Sequence, residues 1–155
     1  MNTEQFRSIE LLSKLFLSND WSELEKETLS LIERVKKSGK DTSYGYTIHV
    51  ATTYLGLIFL QKGDIELAKS HLINSLLVPS SPYLKSSGPN MLLAKRLFDL
   101  GEKDIVSDYI SLCENQWGFI LKFYYIWKWR RSIKKGETPD FRPYTDIHIK
   151  YPPKI

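Results

Sequence analysis

Residues 55–72 read LGLIFLQKGDIELAKSHL, and the reading of this stretch decides the fold. On either side of Gly63-Asp64 the apolar residues recur at steps of three and four, the spacing of helices rather than the alternation of a strand. Gly followed by Asp is a stop and a start. Glycine takes the left-handed conformation of a helix end without strain, and an aspartate side chain caps the free N–H groups of the helix that follows. Two small residues, Gly56 and Ala68, flank this break twelve positions apart. The spacing suits an αα-hairpin whose two rods come closest where the side chains are smallest.

Working outward, the pattern repeats. With Gly63 set on Gly101, LGLIFLQKGDIELAKSHL lies over LAKRLFDLGEKDIVSDYI at an offset of 38 residues. Leu55 falls on Leu93, Gly56 on Ala94, Phe59 on Leu97, Ala68 on Val106 and Leu72 on Ile110. Asn19 set on the same position gives a fainter third copy, with Leu12 over Gly56 and Leu24 over Ala68. Repeated helix pairs of this size stack into an α-solenoid.

The rest of the chain is filled in by periodicity. Helices are expected at about 4–17, 21–37, 44–62, 65–77, 90–99 and 103–114, with a long last one at about 116–135 that stops at Gly136. The 44–62 helix carries apolar residues on more than one side, as a central helix does. PSSPYLKSSGPN, with three Pro and four Ser, reads as a loop with room for order around Tyr83 and Leu84. ETPDFRPYTDIHIKYPPKI, with four Pro, is no continuous helix. Within it Ile147, Ile149 and Tyr151 alternate with Asp146, His148 and Lys150, the pattern of an extended strap with one apolar face.

The run Leu55-Gly56, Phe59, Gly63, Ala68, Leu72, Pro79 resembles the signature of a tetratricopeptide repeat. The resemblance covers about 45–114. It implies an all-α domain of antiparallel helix pairs, at about 44–77 and 90–114, stacked as a short superhelix, to which periodicity alone adds a pair at about 4–37, a C-terminal capping helix at about 116–135 and an extended tail at 137–155. It also implies a function, because the first helix of each pair lines a concave groove in such folds. Here that helix face maps to Phe6, Ile9, Val50, Thr53, Leu57, Met91, Lys95 and Phe98. The Lys and Asn pattern by which some family members clamp a C-terminal carboxylate is not found, so an amphipathic helix or apolar peptide is the expected ligand. The segment from GPNMLLAKRLFDLGEKDIVSDYISLCENQW to the WKW and PDF ending also resembles the C-terminal part of uncharacterised bacterial proteins with such repeats, which implies no activity.

Composition narrows the classes further. At 155 residues the chain is expected to be one domain that buries enough surface to fold without disulfides. Its single Cys113 has no partner in the chain, and no Cys/His cluster has zinc spacing, so a reducing, cytoplasmic setting is expected. MNTEQFRSIELLSKLF has acidic residues where a secretory signal needs a basic start. The most apolar run, WGFILKFYYIWKW, has 13 residues and two Lys, against about 20 for a membrane-spanning helix.

Chemistry-bearing motifs are lacking. His49, His71 and His148 form no metal-ligand pattern, Cys113 has no evident base, and no phosphate loop, nucleophile elbow or carboxylate pair occurs. The expectation is a protein without catalytic residues, cofactor or metal.

Charge and aromatic residues concentrate at the end. The net charge of +4 divides into 13 Lys and Arg against 15 Asp and Glu in residues 1–114, and 9 against 3 in residues 115–155. In WGFILKFYYIWKWRRSIKK, the residues Trp117, Phe119, Ile120, Leu121, Phe123, Tyr124, Tyr125, Ile126, Trp127 and Trp129 surround a helix on nearly all sides. Two readings stay open: the helix caps the repeats on one side while the tail covers the other, or part of this surface, rimmed by Lys128, Arg130, Arg131, Lys134 and Lys135, is a partner site. The expected function is protein binding, through Val50, Thr53, Leu57, Met91, Lys95 and Phe98 in the groove and Trp127, Lys128, Arg130 and Arg131 on the last helix, with an acidic partner. Alternatives are an immunity protein that covers a toxin domain, binding of single-stranded nucleic acid by stacking on the aromatics, and a homodimer through the same helix.

Overall fold

The computed structural model describes residues 3–39, 41–118, 120–142 and 144–145. Among these residues the chain is all-α, with eight helices and no strand. Three-residue turns join α1 (Thr3–Leu17) to α2 (Trp21–Ser38), α3 (Tyr44–Gln61) to α4 (Ile65–Asn74), and α6 (Leu92–Asp99) to α7 (Lys103–Gln116). Helices that pack together across so short a turn run antiparallel. Each pair also packs on the next in chain order: α1 and α2 on α3, then α3 and α4 on α6, with α4 on α7 as well. Between the second and third pairs α5 (Pro82–Ser87) packs on α3, and α8 (Leu121–Lys134) packs on α7.

The three turns are built alike. Asn19, Gly63 and Gly101 all have positive φ, at 58°, 81° and 92°. In each, this residue's N–H donates three residues back, to Phe16, Leu60 or Phe98. The next N–H donates five back, from Asp20 to Leu15, Asp64 to Phe59 and Glu102 to Leu97. That is the Schellman arrangement, which satisfies the last carbonyls of the first helix. The same residue then opens the second helix. Asp20 Oδ1 accepts from the Glu23 N–H at 3.2 Å and Asp64 Oδ1 from the Leu67 N–H at 3.0 Å. Gly136 closes α8 with the same bonds, to Ile133 and Ser132.

The core is one cluster with members from all eight helices. Its centre is α3, enclosed by α1, α2, α4, α5 and α6 and buried at almost every position from Gly45 to Ile58. The positions aligned by the sequence repeat are all interior: Leu12 and Leu24, Gly56 and Ala68, Ala94 and Val106. Gly56 does more than the hairpin reading expects of it. A Cβ there would fall 3.2 Å from His71 Cβ on α4 and 2.2 Å from Leu93 Cδ2 on α6, so one glycine admits both its own partner helix and the next pair.

His49 is fully enclosed and joins three segments. Its Nδ1 lies 2.9 Å from the Ser75 carbonyl at the end of α4, and its Nε2 accepts the Asn90 N–H at 2.9 Å ahead of α6. The Tyr109 hydroxyl on α7 donates to the Asn90 carbonyl at 3.0 Å. Cys113 is buried as a small apolar side chain.

Besides the earlier end of α4 at Asn74, two departures from the periodicity have a clear physical cause. Pro82 at the first position and Gly88 after the last carry a short helix inside the expected loop, since proline favours a helix start and glycine its end. The last helix begins at Leu121 rather than 116 because Trp117 turns extended, at φ −99° and ψ 117°, to bury its indole. Phe119, the side chain of Leu121 and the strap Asp146, Ile147, His148, Ile149, Lys150 and Tyr151 lie outside the described residues.

Candidate interaction surface on the last helix

The aromatic segment divides into an inward and an outward set. Inward, Trp117 and Trp129 stack with centroids 6.1 Å apart, and Tyr125 lies 5.9 Å from each. The start of the tail closes over them. Tyr144 meets Trp117 edge-on at 4.7 Å and Phe141 meets Trp129 at 5.3 Å. The Trp129 Nε1–H donates to the Asp140 carbonyl at 2.9 Å, and the Met91 N–H donates to the Tyr144 carbonyl at 3.1 Å. The buried Trp129 thus keeps its polar handle satisfied while contributing area and edge-to-face contacts.

Outward, the chain leaves large apolar groups in water. Ile120 is 82% exposed, Phe123 64%, Tyr124 54% and Trp127 55%. Beside them a groove of about 670 Å³ runs between α8 and the end of α7, lined by Glu114, Phe123, Ile126, Trp127, Arg130, Arg131 and Lys134. Three cations face one carboxylate across it. The Arg130 guanidinium donates to Glu114 at 2.5 Å and to the Ser111 hydroxyl at 3.1 Å. Both side chains of that ion pair are nearly half exposed, so it orients Arg130 more than it stabilises the fold. The Arg131 guanidinium lies 5.2 Å from the Trp127 ring centroid, a cation–π contact that fixes both groups. Lys122 donates to the Glu114 carbonyl at 3.0 Å and sits 5.0 Å from the Phe123 ring.

Of the expected binding residues, Trp127, Arg130 and Arg131 come together here. Lys128 does not line the groove; its charge acts on the tail, where with Arg142 it lowers the Asp140 pKa, the Arg142 hydrogen bond being the larger cause. Glu114 and Ser111 come from α7 and have no signature in the α8 sequence. Phe123 and Lys134 complete the groove at helical spacing from Trp127, which is the signal by which they can be found.

The residues that the family resemblance places on a concave groove lie mostly inside the chain. Val50, Thr53, Leu57, Met91 and Phe98 are buried within the chain and offer no open apolar wall. Helices surround α3 on all sides, the tail's Tyr144 holds the Met91 backbone, and the Lys103 ammonium sits 5.8 Å over the Phe98 ring. Lys95 stays at the surface but pairs with Asp99 at 2.6 Å. What remains of that face is a shallow depression of about 340 Å³ where α1, α3 and α6 end, with Leu57 in its lining beside Phe16, Trp21 and Leu100.

Groups with reactive potential are sequestered. Burial pushes the Cys113 thiol well up, away from the thiolate, and holds the His49 imidazole neutral by lowering its pKa to about 4. His71 stacks flat on Phe59 at 5.2 Å. Among the described residues no cluster of three or more His, Cys, Asp or Glu is placed to hold a metal, and no helix is long and apolar enough to cross a membrane.

No protein family, curated protein or solved structure matches this chain.

Proposed function

We propose that the chain is a protein-binding module of tetratricopeptide-like helix pairs whose docking face is the α7–α8 groove, and that its partner is acidic. The observation that carries this reading is Trp127 and Phe123 left in water beside Arg130, Arg131 and Lys134, while the opposite side of the same helix is packed with aromatics. Desolvating exposed aromatics and Arg supplies most of the energy at protein interfaces, and clustered cations steer an acidic partner. The repeat reading is supported by the same backbone bonds in all three turns and by burial at each aligned pair of positions. Cytoplasm is the setting proposed, where a lone thiol stays reduced.

The test is capture from native lysate by wild type, by the double variant Trp127→Ala/Arg131→Glu, and by Lys95→Glu as a control outside the groove. A nuclease-resistant protein retained by wild type and the control, and lost from the double variant, is the expected result. Retention by all three, or loss on nuclease treatment, overturns the reading. Inhibition of an activity of the captured protein would mark the role as neutralising rather than scaffolding.

A further inference from the structure

The exposed stripe of α8 is polarised along its axis. Ile120 at its N-cap and Phe123 and Trp127 in its N-terminal half follow one another at steps of three and four, all exposed. Arg131 and Lys134 continue the same line, again at steps of four and three, toward the C-terminus. At 1.5 Å per residue this line is about 21 Å long, or roughly four helical turns. Its occupant therefore needs an apolar end and an acidic end.

Two effects choose the direction. A helix favours carboxylates in its first turn, because they complement the positive end of its dipole. A helix laid antiparallel on α8 brings that first turn to the C-terminal end of α8, where Arg131 and Lys134 stand. The two dipoles then also meet with opposite ends. Arg130 is already engaged by Glu114, so incoming carboxylates meet the other two cations.

We propose that the occupant of the α7–α8 groove is an acidic-headed amphipathic helix lying antiparallel to α8, its first-turn carboxylates on Arg131 and Lys134 and its apolar anchors on Trp127 and Phe123. This rests on the reading of that groove as a protein-docking face. Other occupants fit the charge pattern less well. An interfacial membrane helix carries its cations flanking the apolar stripe, whereas here they continue it, and a flat bilayer cannot receive both halves at one depth. Single-stranded nucleic acid presents phosphates along its whole length, but the stripe's own cations, Arg131 and Lys134, occupy one end, and Lys122 near the other is turned to the Glu114 carbonyl. Residues 146–155 hold two Lys against one Asp, and a second copy docked through the same face of α8 brings the same cations, so neither supplies the missing negative charge.

The experiment uses the full chain and two labelled helical peptides of identical composition. One has Glu in its first turn followed by Leu at three- and four-residue steps; the other has the same pattern reversed, with Glu in the last turn. Fluorescence anisotropy at low and high salt is read alongside binding to phosphatidylserine vesicles and to an oligothymidine. The acid-first peptide is expected to bind at least tenfold tighter than the reversed one. It should weaken severalfold in high salt, and about tenfold in Arg131→Glu and Lys134→Glu variants whose thermal midpoints match wild type. Equal or tighter binding of the reversed peptide overturns the orientation while leaving the docking face intact. Failure of both peptides, or stronger Trp127-dependent binding of vesicles or oligonucleotide, overturns the helical occupant; the lysate capture then decides separately whether the face itself stands.

Discussion

Gly45 and Gly56 lie in the same helix and face different kinds of neighbour. A Cβ at Gly45 would fall 2.0 Å from the Pro79 carbonyl oxygen, which is backbone and cannot step aside. A Cβ at Gly56 meets first the end of the Leu93 side chain, which can rotate. Gly45→Ala is therefore expected to cost about 2–3 kcal/mol of overpacking, and Gly56→Ala less than about 1 kcal/mol because the better helix former offsets part of the clash. Gly56→Leu adds more atoms than Leu93 can yield to and is expected to cost about 1–3 kcal/mol. Urea unfolding of the three variants gives the order; Gly56→Ala as damaging as Gly45→Ala would sink the argument. His49 supports a second expectation. Its ring is neutral, with Nδ1–H toward the Ser75 carbonyl and Nε2 occupied by the Asn90 N–H, so a second ring proton would point at a donor. Burial lowers its pKa from 6.5 to about 4. Between those values the unfolded chain binds a proton that the native chain refuses, so stability is full above pH 6.5 and falls as pH drops toward 4, by about 3 kcal/mol in all. His71 is lowered too, by its own burial, and adds to the slope with the same sign. Unfolding free energies of wild type and His49→Gln from pH 7 to 4.5 check this. The variant should be less stable at pH 7 and lose markedly less on acidification.

At the scale of elements, the turns carry the most local information. Gly63 and Gly101 have open space where a side chain would go, so replacing them tests backbone strain alone. Gly101→Ala is expected to cost about 1–2 kcal/mol, the strain of a β-carbon in the left-handed region. Asn19→Gly, at the equivalent turn, should stay within about 0.5 kcal/mol of wild type, since asparagine already tolerates that conformation. Thermal and urea unfolding of the two variants decide it; equal losses would mean the three turns are not alike. These turns are legible in sequence because stop, cap and small-residue spacing act within a dozen residues. The capping aspartates and the interior positions at 12, 24, 56, 68, 94 and 106 follow from that local chemistry. The candidate site is half legible. Trp127, Arg130 and Arg131 announce themselves by type and spacing on one helix, but Glu114, which orients Arg130, arrives from α7. The face that the resemblance implies depends on distant segments too. It is the resemblance that places Val50, Thr53 and Met91 there, and what covers them comes from elsewhere: α5 packs on α3, and Tyr144 reaches Met91 from more than fifty residues away. Local periodicity carries no information about which apolar side a distant segment covers.

For the whole molecule, the order of packing implies an order of stability. α3 is in contact with five other helices, and its amides from Val50 to Ile58 lie among buried side chains. Exposing them requires parting the first pair from the second and the second from the third, which amounts to unfolding the protein. α1 instead packs on α2 and α3 from one end, and α8 packs on α7 and the tail from the other. Either end can part while the centre holds. Local opening free energies in a protein range from near zero to the global value, in units that follow such boundaries. Amide hydrogen exchange should accordingly be slowest in α3 and in α6 around Leu93–Leu97, at the global unfolding free energy, and faster in α1 and in the exposed turns of α8. Trp129→Ala sharpens the test, because it removes the indole that stacks with Trp117, meets Phe141 edge-on and hydrogen-bonds Asp140. It should speed exchange in α8 far more than in α3. Equal protection in α1, α3 and α8, or a uniform loss across all helices in Trp129→Ala, would mean that the pairs open as one body and that nearest-neighbour packing does not govern the stability of this chain.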